Sequence, residues 1–486
     1  MILLCFVAYR LVYIDLHLSL SPGSYRESYV SDEVWYVTSA RNILVKLFGV
    51  NVLNTWLGDG LRCTLILSGR PNETLVNELC STDSCRILDS GYTGVEYTYA
   101  TVTWDGGSTA MIPVPLGSGL NAVYVELYDG LEPVAEKAGS MGYNITGYIC
   151  GWALPDKNGL NDYMNLEHPP LGKYIIGLSL LLGDNPFTWR LPSIISTTLL
   201  FLLGYAVTLY ILRGITSEPL ARLIALATPL LMLTDNSYFT VGALAMLDSF
   251  LALFTLLGLY MLVEHGYASL GSRVARVLVF SLAGCVKASG LFAVPGDFIE
   301  GLLDKRGALT RVRNGFSQLL LYFTIYPLIL LVLSHPFINA MGWSAWFKTS
   351  VEGSIKWHTG VKTTSDTIAS SPLDWLLGSN SFYMWLDAST GEWVRCSGQP
   401  IIYLTALVAG LVFSPWIIKR DELRRVWLLY LSILSGYVIL YLIGNKSLYS
   451  FYIIHFAPVS TVLLVSITVY MFKTAYSWWR KRRDEG

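Results

Sequence analysis

Long apolar runs separated by short polar stretches make up most of this chain, and they predict its fold class. Residues 1–14 form the first run. They contain Arg10 and no small-residue cleavage site follows, so we expect a short first helix rather than a cleavable signal peptide. The later runs approach or exceed the length that crosses about 30 Å of hydrocarbon. They lie near 169–183, 192–212, 219–234, 242–263, 276–298, 315–335, 401–418, 426–444 and 451–472. The pattern predicts a mainly α, polytopic membrane protein with about ten transmembrane helices.

Two longer polar regions interrupt this pattern. The first contains alternating β-branched and aromatic runs at 97–104 and 121–128, each followed by an Asp-Gly turn, at 105–107 and 129–130. These runs predict a small β-rich extracytoplasmic insert, and the second region predicts an outer loop. The chain then divides into a first span with an acidic helix, the insert, a transmembrane core, the outer loop, and last helices with a basic tail. Their bounds are 1–49, 50–162, 163–335, 336–400 and 401–486.

An acidic pair follows the first span. From Ser31 to Leu44, apolar residues recur at helical spacing, which predicts an amphipathic helix lying on the membrane surface. Asp32 and Glu33 fall in its first turn, where carboxylates complement the helix dipole. The pair is either a helix-capping feature or a pair of catalytic carboxylates, and the local pattern leaves both open.

The insert is followed by a charged stretch that runs from Glu167 to Lys173 and contains two prolines. Proline cannot lie inside a helix but suits its first turn. Glu167 and His168 are therefore predicted just outside a helix at the membrane edge, with Lys173 about one turn inside it. Such a cluster is suited to hold the phosphate of a lipid-linked substrate. The alternative is an interfacial anchor with snorkelling side chains.

Ionisable side chains also fall within or beside predicted spans, where they are costly and suggest function. Asp248 lies just inside a span, Lys287 lies deeper, and Arg190 lies at a span entrance. For each, the alternative is a helix-packing ion pair or a snorkelling contact. His358 follows a tryptophan in the outer loop, and an indole lies readily on a sugar or at the membrane interface.

Composition and charge agree with a membrane protein and give no sign of a nucleic-acid partner. The chain is 53% apolar and 14% charged, with a formal net charge of −1. Basic clusters at 305–313, 419–425 and 480–483 fall on one side of the predicted topology, which is the cytoplasmic side by the positive-inside rule. Arg213 and Arg222 would fall on the opposite side. The insert and the outer loop are then predicted to face outward.

Cysteines and glycosylation motifs concentrate in the insert. Four cysteines permit two disulfides with three possible connectivities, and no spacing typical of a metal site occurs. These are Cys63, Cys80, Cys85 and Cys150. Asn72 and Asn144 each begin an Asn-x-Thr motif, which is a glycosylation acceptor if the insert faces outward.

Taken in chain order, the motifs resemble the protein O-mannosyltransferase family, multi-spanning glycosyltransferases of the GT-C class that are related to the lipid A aminoarabinose transferases. The similar stretches extend over nearly the whole membrane portion. They are Asp32-Glu33, 168–173, 189–192, 235–238, 246–248, 286–287, 290–292, 356–358, 372–376 and 452–458. Two features depart from the family pattern: the family's usual arginine is missing from 241–245, and the insert is unusual for the family.

The resemblance implies a polyprenyl- or dolichyl-phosphate mannose donor, a hydroxyl acceptor on protein Ser or Thr, and inversion at the anomeric carbon. The lipid phosphate leaves without needing a proton, so one carboxylate base on the acceptor is enough. We assign that base to Asp32, with Glu33 either orienting the acceptor or assisting at the sugar. The substrate-binding candidates are Glu167, His168, Lys173, Arg190, Lys287 and His358.

The remaining expectations concern the metal, the topology and the source. No cofactor or metal is required by this chemistry, although Glu167 could help to hold a divalent ion. Arg190 is expected at the cytoplasmic end, opposite Asp32, which favours a structural role for it. The composition and small loops are typical of a prokaryotic, archaeal member in the plasma membrane, with its active site facing outside. Nothing in the sequence indicates an oligomer.

Three alternatives are kept. Within the same class, the sugar could differ and the acceptor could be a lipid or a glycan. A transporter predicts inverted repeats and polar groups at mid-membrane, and the sequence has no such repeat. A non-enzymatic surface receptor would need one anchoring span rather than about ten.

Overall fold

The computed structural model describes residues 2–20, 29–50, 52, 61–81, 83–89, 97–103, 109–115, 121–150, 163–303, 307–360, 369–387, 390 and 392–485. Over these residues the protein is mainly helical, with a small sheet domain between the second and fifth helices. Five described helices are long and apolar enough to cross a membrane. The mainly α, multi-span class with a small β-rich insert is confirmed, and the number of about ten spans stays a prediction.

The helices follow in chain order. They are α1 (Ile2–Leu20), α2 (Glu33–Asn42), α3 (Glu73–Glu78), α4 (Glu132–Ser140), α5 (Leu171–Leu180), α6 (Pro186–Arg213), α7 (Glu218–Ala225), α8 (Ala227–Met232), α9 (Ser237–Gly242), α10 (Leu247–His265), α11 (Leu270–Val286), α12 (Val294–Leu302), α13 (Ala308–Met341), α14 (Trp343–Trp346), α15 (Gly353–Thr359), α16 (Pro372–Leu377), α17 (Pro400–Val412), α18 (Ser414–Ile417), α19 (Asp421–Leu442) and α20 (Ala457–Glu485). The five candidate spans are α6, α10, α13, α19 and α20.

Eight strands complete the described elements. They are β1 (Leu61–Leu67), β2 (Cys85–Asp89), β3 (Tyr97–Thr103), β4 (Thr109–Pro115), β5 (Ala122–Leu127), β6 (Ile145–Cys150), β7 (Phe382–Leu386) and β8 (Trp393–Cys396). The last two form an antiparallel hairpin in the outer loop.

The insert is a four-stranded antiparallel sheet with two helices. Its strand order is β2-β5-β1-β6, with α3 between β1 and β2 and α4 between β5 and β6. This is the β-α-β-β-α-β arrangement, with the hairpin β3–β4 added in its middle. The strand patterns at 97–104 and 121–128 were predicted correctly. The turn at 105–107 and the end of the insert after residue 150 lie outside the described residues.

Disulfides are present in the insert. Cys80 is bonded to Cys85. Cys63 is also disulfide-bonded, and in the pairing of β1 with β6 its Cα lies opposite that of Cys150. Thiols in such bonds are typical of proteins that mature in an oxidising compartment.

The acidic helix does not lie on a surface. All residues of α2 except Trp35 are buried, including Glu33 and Arg41. Its polar side chains are covered because Glu33 pairs with Arg190 and Arg41 pairs with Asp184. The expectation of a membrane-surface helix is therefore wrong. The helix α2 is packed inside the molecule, where its charged residues pair with residues at and just before the start of α6.

The predicted span at 169–183 is also wrong. The helix α5 has ten residues, which is about 15 Å of helix and too short to cross the hydrocarbon core. It packs beside α2, and the chain turns at Asp184, which bonds Arg41. The next helix, α6, therefore starts beside α2, and Arg190 lies next to Glu33 rather than at the end opposite Asp32.

A second long span, expected at 276–298, is broken at Lys287. That residue has extended dihedrals, φ −143° and ψ 139°, between α11 and a 3₁₀ turn at Ala288–Ala293 that leads into α12. Lys287 therefore lies at a helix break and not deep inside a continuous helix. Its ammonium reaches Asp248 in the first turn of α10.

One end of the helical bundle gathers basic loops. Arg420 donates to the carbonyl of Gly214, which directly follows Arg213, and Lys473 donates to the carbonyl of Ile215. Arg213 and Arg222 both bond Glu218. The sequence pattern placed Arg213 and Arg222 on the side opposite the basic clusters. In the structure they lie at the same end as the basic cluster of 419–425, so this conflict with the positive-inside rule is removed.

Candidate active site

Asp32 lies at the N-cap of α2, directly after Ser31, a non-glycine residue with a φ of +55°. Tyr36, one helical turn later, directs its hydroxyl toward Asp32 Oδ2 at 3.4 Å. Burial raises the pKa of Asp32 to about 6, while Lys287 lowers it and Asp248 raises it. Near neutral pH the group is therefore a carboxylate with a high affinity for a proton, which is the property that a general base needs.

Glu33 is fully buried, and each of its two carboxylate oxygens accepts two hydrogen bonds. Its Oε1 accepts hydrogen bonds from Arg190 Nε at 2.8 Å and from the backbone N–H of Ala245 at 2.7 Å. Its Oε2 accepts from Arg190 Nη2 at 2.9 Å and from the N–H of Val30 at 2.8 Å. Asp15 also pairs with Arg190, at 3.2 Å. The contacts of Glu33 and Arg190 therefore connect α1, α2, α6 and the residues just before α10, directly next to Asp32 in the chain.

The charged stretch before α5 folds as a tight loop. Lys173 donates to the backbone carbonyls of Met164, Asn165 and His168, and only 1% of the side chain is exposed. Asn165, with a φ of +50°, is another described non-glycine residue in the left-handed region. Lys173 was predicted one turn inside the helix, which holds, but its ammonium fixes this loop rather than pointing into open space.

Glu167 lies on the same loop and faces neighbouring polar groups. Its Oε1 accepts from the hydroxyl of Tyr163 and from Asn165 Nδ2. Among the residues that the structure describes, no group of three or more His, Cys, Asp or Glu side chains could hold a metal ion. Glu167 is thus part of a hydrogen-bonded cluster near Asp32.

A cavity of about 100 Å³, lined by charged, hydroxyl-bearing, aromatic and aliphatic side chains and called the polar cavity from here on, lies where this loop meets the outer loop. Its walls combine the charged stretch, the helix break, the outer loop, the end of α19 and the segment before α20. Its lining includes His168, Lys287, Trp357, His358, Tyr437 and Tyr452. The rings of His168 and His358 lie 5.5 Å apart, and His168 also lies 6.1 Å from the ring of Tyr36. Two candidates that are 190 residues apart in the sequence therefore meet at one cavity.

Lys287 supplies the positive charge of this cavity. Its ammonium lies 2.9 and 3.1 Å from the two carboxylate oxygens of Asp248 and 4.2 Å from the ring centre of Tyr452. Asp248 is fully buried and Lys287 is 5% exposed. The pair is a helix-packing contact that also forms a charged wall of the cavity, and a functional role for it stays a prediction.

A second, apolar cavity of about 290 Å³ adjoins the first. The two share His168 and Ala288 as lining residues. Its remaining walls come from the two prolines, α13 and the outer-loop helices, and include Leu330, Phe337 and Trp346. An elongated molecule with one apolar and one polar end could therefore lie in both cavities with its junction at His168.

Steric crowding explains why the charged stretch has a glycine at position 172. A Cβ on Gly172 would lie 2.6 Å from Leu247 Cδ2. This close approach lets the start of α5 pack against the start of α10. It brings the loop that carries His168 beside Asp248 and Lys287.

The structure sorts the sequence candidates into two sets. His168, Lys287 and His358 line the polar cavity, with Asp32 next to it through Tyr36. Glu33 and Arg190 are instead held in buried contacts, and Lys173 both holds the loop through its ammonium and lines the apolar cavity. Sequence reasoning missed Tyr36, Tyr437 and Tyr452. Tyr36 could have been identified from the sequence, because it stands four residues after Asp32 and therefore lies on the same helix face. Tyr452 begins the stretch 452–458 that resembles the family, but it was not chosen as a site residue. Tyr437 had no signal, since aromatic residues in apolar runs usually only pack.

Part of the chain matches a protein-family model. The model of the dolichyl-phosphate-mannose-protein mannosyltransferase family matches residues 160–335. This part of the chain holds Glu167, His168, Lys173, Arg190 and Lys287. The resemblance identified from the motifs is thus confirmed over this part of the chain. No curated protein sequence matches the chain.

Two solved structures are similar to the chain. One is ArnT from Cupriavidus metallidurans bound to undecaprenyl phosphate, with 16% identity, a TM-score of 0.41, and coverage of 62% of this chain and 50% of that one. The other is the same protein in the apo state, with 16% identity, a TM-score of 0.39, and coverage of 65% and 51%. The chain spans about half the length of these proteins.

Proposed function

We propose that the protein is an inverting glycosyltransferase of the GT-C class that moves a sugar, mannose, from a polyprenyl- or dolichyl-phosphate donor to a hydroxyl group. The observation that carries the proposal is the pair of adjoining cavities, one polar and one apolar, that meet at His168 beside Asp32. A lipid-phosphate sugar has matching parts: an apolar chain, an anionic junction and a polar head. The family match over 160–335 supports the same class.

The donor would lie across both cavities. The apolar chain would occupy the cavity lined by Leu330 and Phe337, and the sugar would enter the polar cavity, where tyrosine and tryptophan rings offer faces for it. The phosphate at the junction would meet His168 and Lys287. As the phosphate leaves it gains charge, which cationic donors held in a partly buried site stabilise.

The reaction needs one base. Asp32 Oδ2 would take the proton of the acceptor hydroxyl as that oxygen bonds to the anomeric carbon and the bond from carbon to phosphate oxygen breaks. Attack from the face opposite the phosphate inverts the configuration. The raised pKa of Asp32 suits this role near neutral pH. No step of this reaction calls for a metal.

The other acidic and basic candidates receive different roles. We assign Glu33 and Arg190 as positioning residues, because their buried ion pair fixes the helix that begins at Asp32. Lys173 positions the loop of His168. Glu167 lies where an acceptor could approach Asp32, and His358 would close the polar cavity from the outer loop.

The finer parts of the proposal are protein Ser or Thr as acceptor, an archaeal plasma membrane as location, and an outward-facing site. The disulfide in the insert supports the outward orientation. A lipid or glycan acceptor is the runner-up within the same class.

The test is a donor and acceptor panel with the purified protein in lipid nanodiscs. We expect labelled sugar to move from polyprenyl-phosphate mannose to Ser/Thr-containing peptides, and not from a nucleotide-linked mannose. Transfer only to lipid or glycan acceptors would replace the acceptor and keep the class. Absence of both transfer and donor binding, with any of these donors, would reject the glycosyltransferase assignment.

A further inference from the structure

The insert carries two glycosylation motifs whose Asn and Thr residues are exposed, although the hydroxyl of Thr146 donates to the carbonyl of Ile66 at 3.3 Å. In the first, Asn72 and Thr74 are both exposed. The Oδ1 atom of Asn72 caps α3 by accepting from the N–H of Leu75 at 2.8 Å. A sugar is attached through Nδ2, so the carbonyl oxygen can keep this helix cap after modification. The geometry of the cap and the modification are therefore compatible.

The second motif lies at the same edge of the insert. Asn144 and Thr146 are exposed. The backbone of Asn144 bonds Ser68 twice, accepting from its N–H at 2.8 Å and donating to its Oγ at 3.0 Å. The neighbouring Tyr143 donates to the carbonyl of Arg70 at 3.1 Å. These contacts tie the segment before Asn72 to the segment that holds Asn144, so the two exposed motifs lie near each other at one border of the sheet.

A third motif in the chain provides a built-in contrast. Asn445, Lys446 and Ser447 also read Asn-x-Ser, but Asn445 is only 3% exposed. Its Nδ2 donates to the carbonyl of His358 at 3.0 Å, and its Oδ1 accepts from the N–H of Ser447 at 3.2 Å. Asn445 also lines the polar cavity. A glycan on this nitrogen would break the contact with the outer loop and fill the cavity, so the folded protein requires Asn445 unmodified.

We propose that Asn72 and Asn144 carry N-linked glycans and that Asn445 does not. The sugar would come from a lipid-phosphate-linked oligosaccharide through a separate oligosaccharide-transferring enzyme. In that step a bond forms between Nδ2 and the anomeric carbon, and the bond from that carbon to the lipid phosphate breaks. The phosphate leaves as an anion, and Nδ2 gives up one proton to the transferring enzyme. The two glycans are bulky and polar, and they would cover the border of the sheet formed by β1 and β6. At that position they would lie away from the mouth of the polar cavity.

The experiment uses the full-length protein made in a eukaryotic cell line, whose secretory membranes contain such an enzyme. Mass spectrometry of glycopeptides and gel mobility before and after enzymatic deglycosylation give the occupancy of each motif. We expect two glycans on the wild type, one on Asn72→Gln, one on Asn144→Gln and none on the double variant. Thr74→Ala removes the first motif but leaves the Asn72 helix cap intact, so it separates loss of the glycan from misfolding.

Two controls make the outcome decisive. Asn445→Gln should leave the number of glycans at two, because that site is occluded. An exposed motif made in the basic tail by Lys481→Asn/Arg483→Thr should stay unmodified, because the tail lies at the opposite end of the bundle. A wild type that lacks a glycan at Asn72 or at Asn144, or that carries one at Asn445, overturns the proposal. A glycan in the tail of the Lys481→Asn/Arg483→Thr variant overturns it as well. Sugar transfer by the same preparations is scored separately, so an active but unglycosylated protein rejects this inference and keeps the proposed function.

Discussion

Arg190 holds the Glu33 carboxylate through two hydrogen bonds, from Nε at 2.8 Å and from Nη2 at 2.9 Å, and neither side chain is exposed to solvent. The same guanidinium reaches Asp15 in α1. Because Glu33 directly follows Asp32, this ion pair fixes the position of the proposed base. It also connects the first helix to the transmembrane core.

The first prediction concerns the stability of this contact. Replacing Arg190 by methionine leaves two buried carboxylates without a counter-charge, so we expect Arg190→Met to lower the free energy of unfolding by about 3–5 kcal/mol. Thermal unfolding in detergent measures the effect. Arg213→Met is the matched control: it removes an arginine from the same helix whose ion pair with Glu218 is exposed, and such pairs contribute little. Equal melting temperatures for the two variants would contradict the structural role of Arg190.

This contact also illustrates what local patterns in the sequence can predict. The two prolines at 169–170 were interpreted correctly because their effect on a helix start depends on their own backbone alone. The burial of α2 was not predictable, since Glu33 finds its partner 157 residues away. The same holds for α5: its apolar run is typical of a span, and it ends early because Asp184 meets Arg41, 143 residues away.

The candidate site was predictable to a similar extent. His168 and Lys287 were chosen as charged or titratable groups beside or within apolar runs, and His358 was chosen because it follows a tryptophan in the outer loop. All three line one cavity. Chemistry and position along the chain were sufficient for that choice. They could not separate these residues from Lys173 and Arg190, whose charges are consumed by buried partners. That distinction depends on where each side chain points, which the local pattern does not contain.

The second prediction concerns the pH dependence of turnover. The pKa of Asp32 is raised to about 6, and only the carboxylate form can accept a proton. We therefore expect kcat/KM to rise with pH and to level off above pH 6, and to fall roughly tenfold per unit below it. Initial rates between pH 4.5 and 8, at acceptor concentrations well below KM, would measure the profile. A rate that is flat across pH 5 to 7 would argue that another group is the base.

The third prediction concerns the Lys287–Asp248 pair. Replacing Lys287 by methionine leaves a fully buried carboxylate without its partner, and we expect a loss of about 3–5 kcal/mol in the free energy of unfolding. Asp248→Asn in the same chain removes the stranded charge, so the double variant should recover much of that stability while remaining inactive. A double-mutant cycle based on thermal unfolding gives the coupling energy. Additive effects of the two substitutions would show that the residues do not interact.

The fourth prediction concerns the apolar cavity. Ser350 lies in its wall, on the π-helical turn at Phe347–Glu352. A tryptophan there would fill the space assigned to the lipid chain, so we expect Ser350→Trp to raise the KM for a long-chain donor about tenfold, equivalent to about 1.4 kcal/mol. A donor with a very short lipid should be affected much less.

The control for that substitution lies on the adjacent helix. Ser344, in α14, is exposed and does not line the cavity. Ser344→Trp adds the same bulk to the outer-loop segment and should leave both donors unaffected. If the two variants impair long- and short-chain donors equally, the cavity is not the site of the lipid chain.

The central claim is that Asp32 is the base that activates the acceptor in sugar transfer from a lipid phosphate. The most direct measurement compares single-turnover transfer from polyprenyl-phosphate mannose by the wild type, by Asp32→Asn and by Asp129→Asn, which changes an exposed carboxylate of the insert. Donor binding and thermal unfolding are followed on the same samples. The account predicts transfer by the wild type and by Asp129→Asn, and loss of transfer by Asp32→Asn with donor binding and folding retained. Transfer by Asp32→Asn at the rate of the wild type would contradict it.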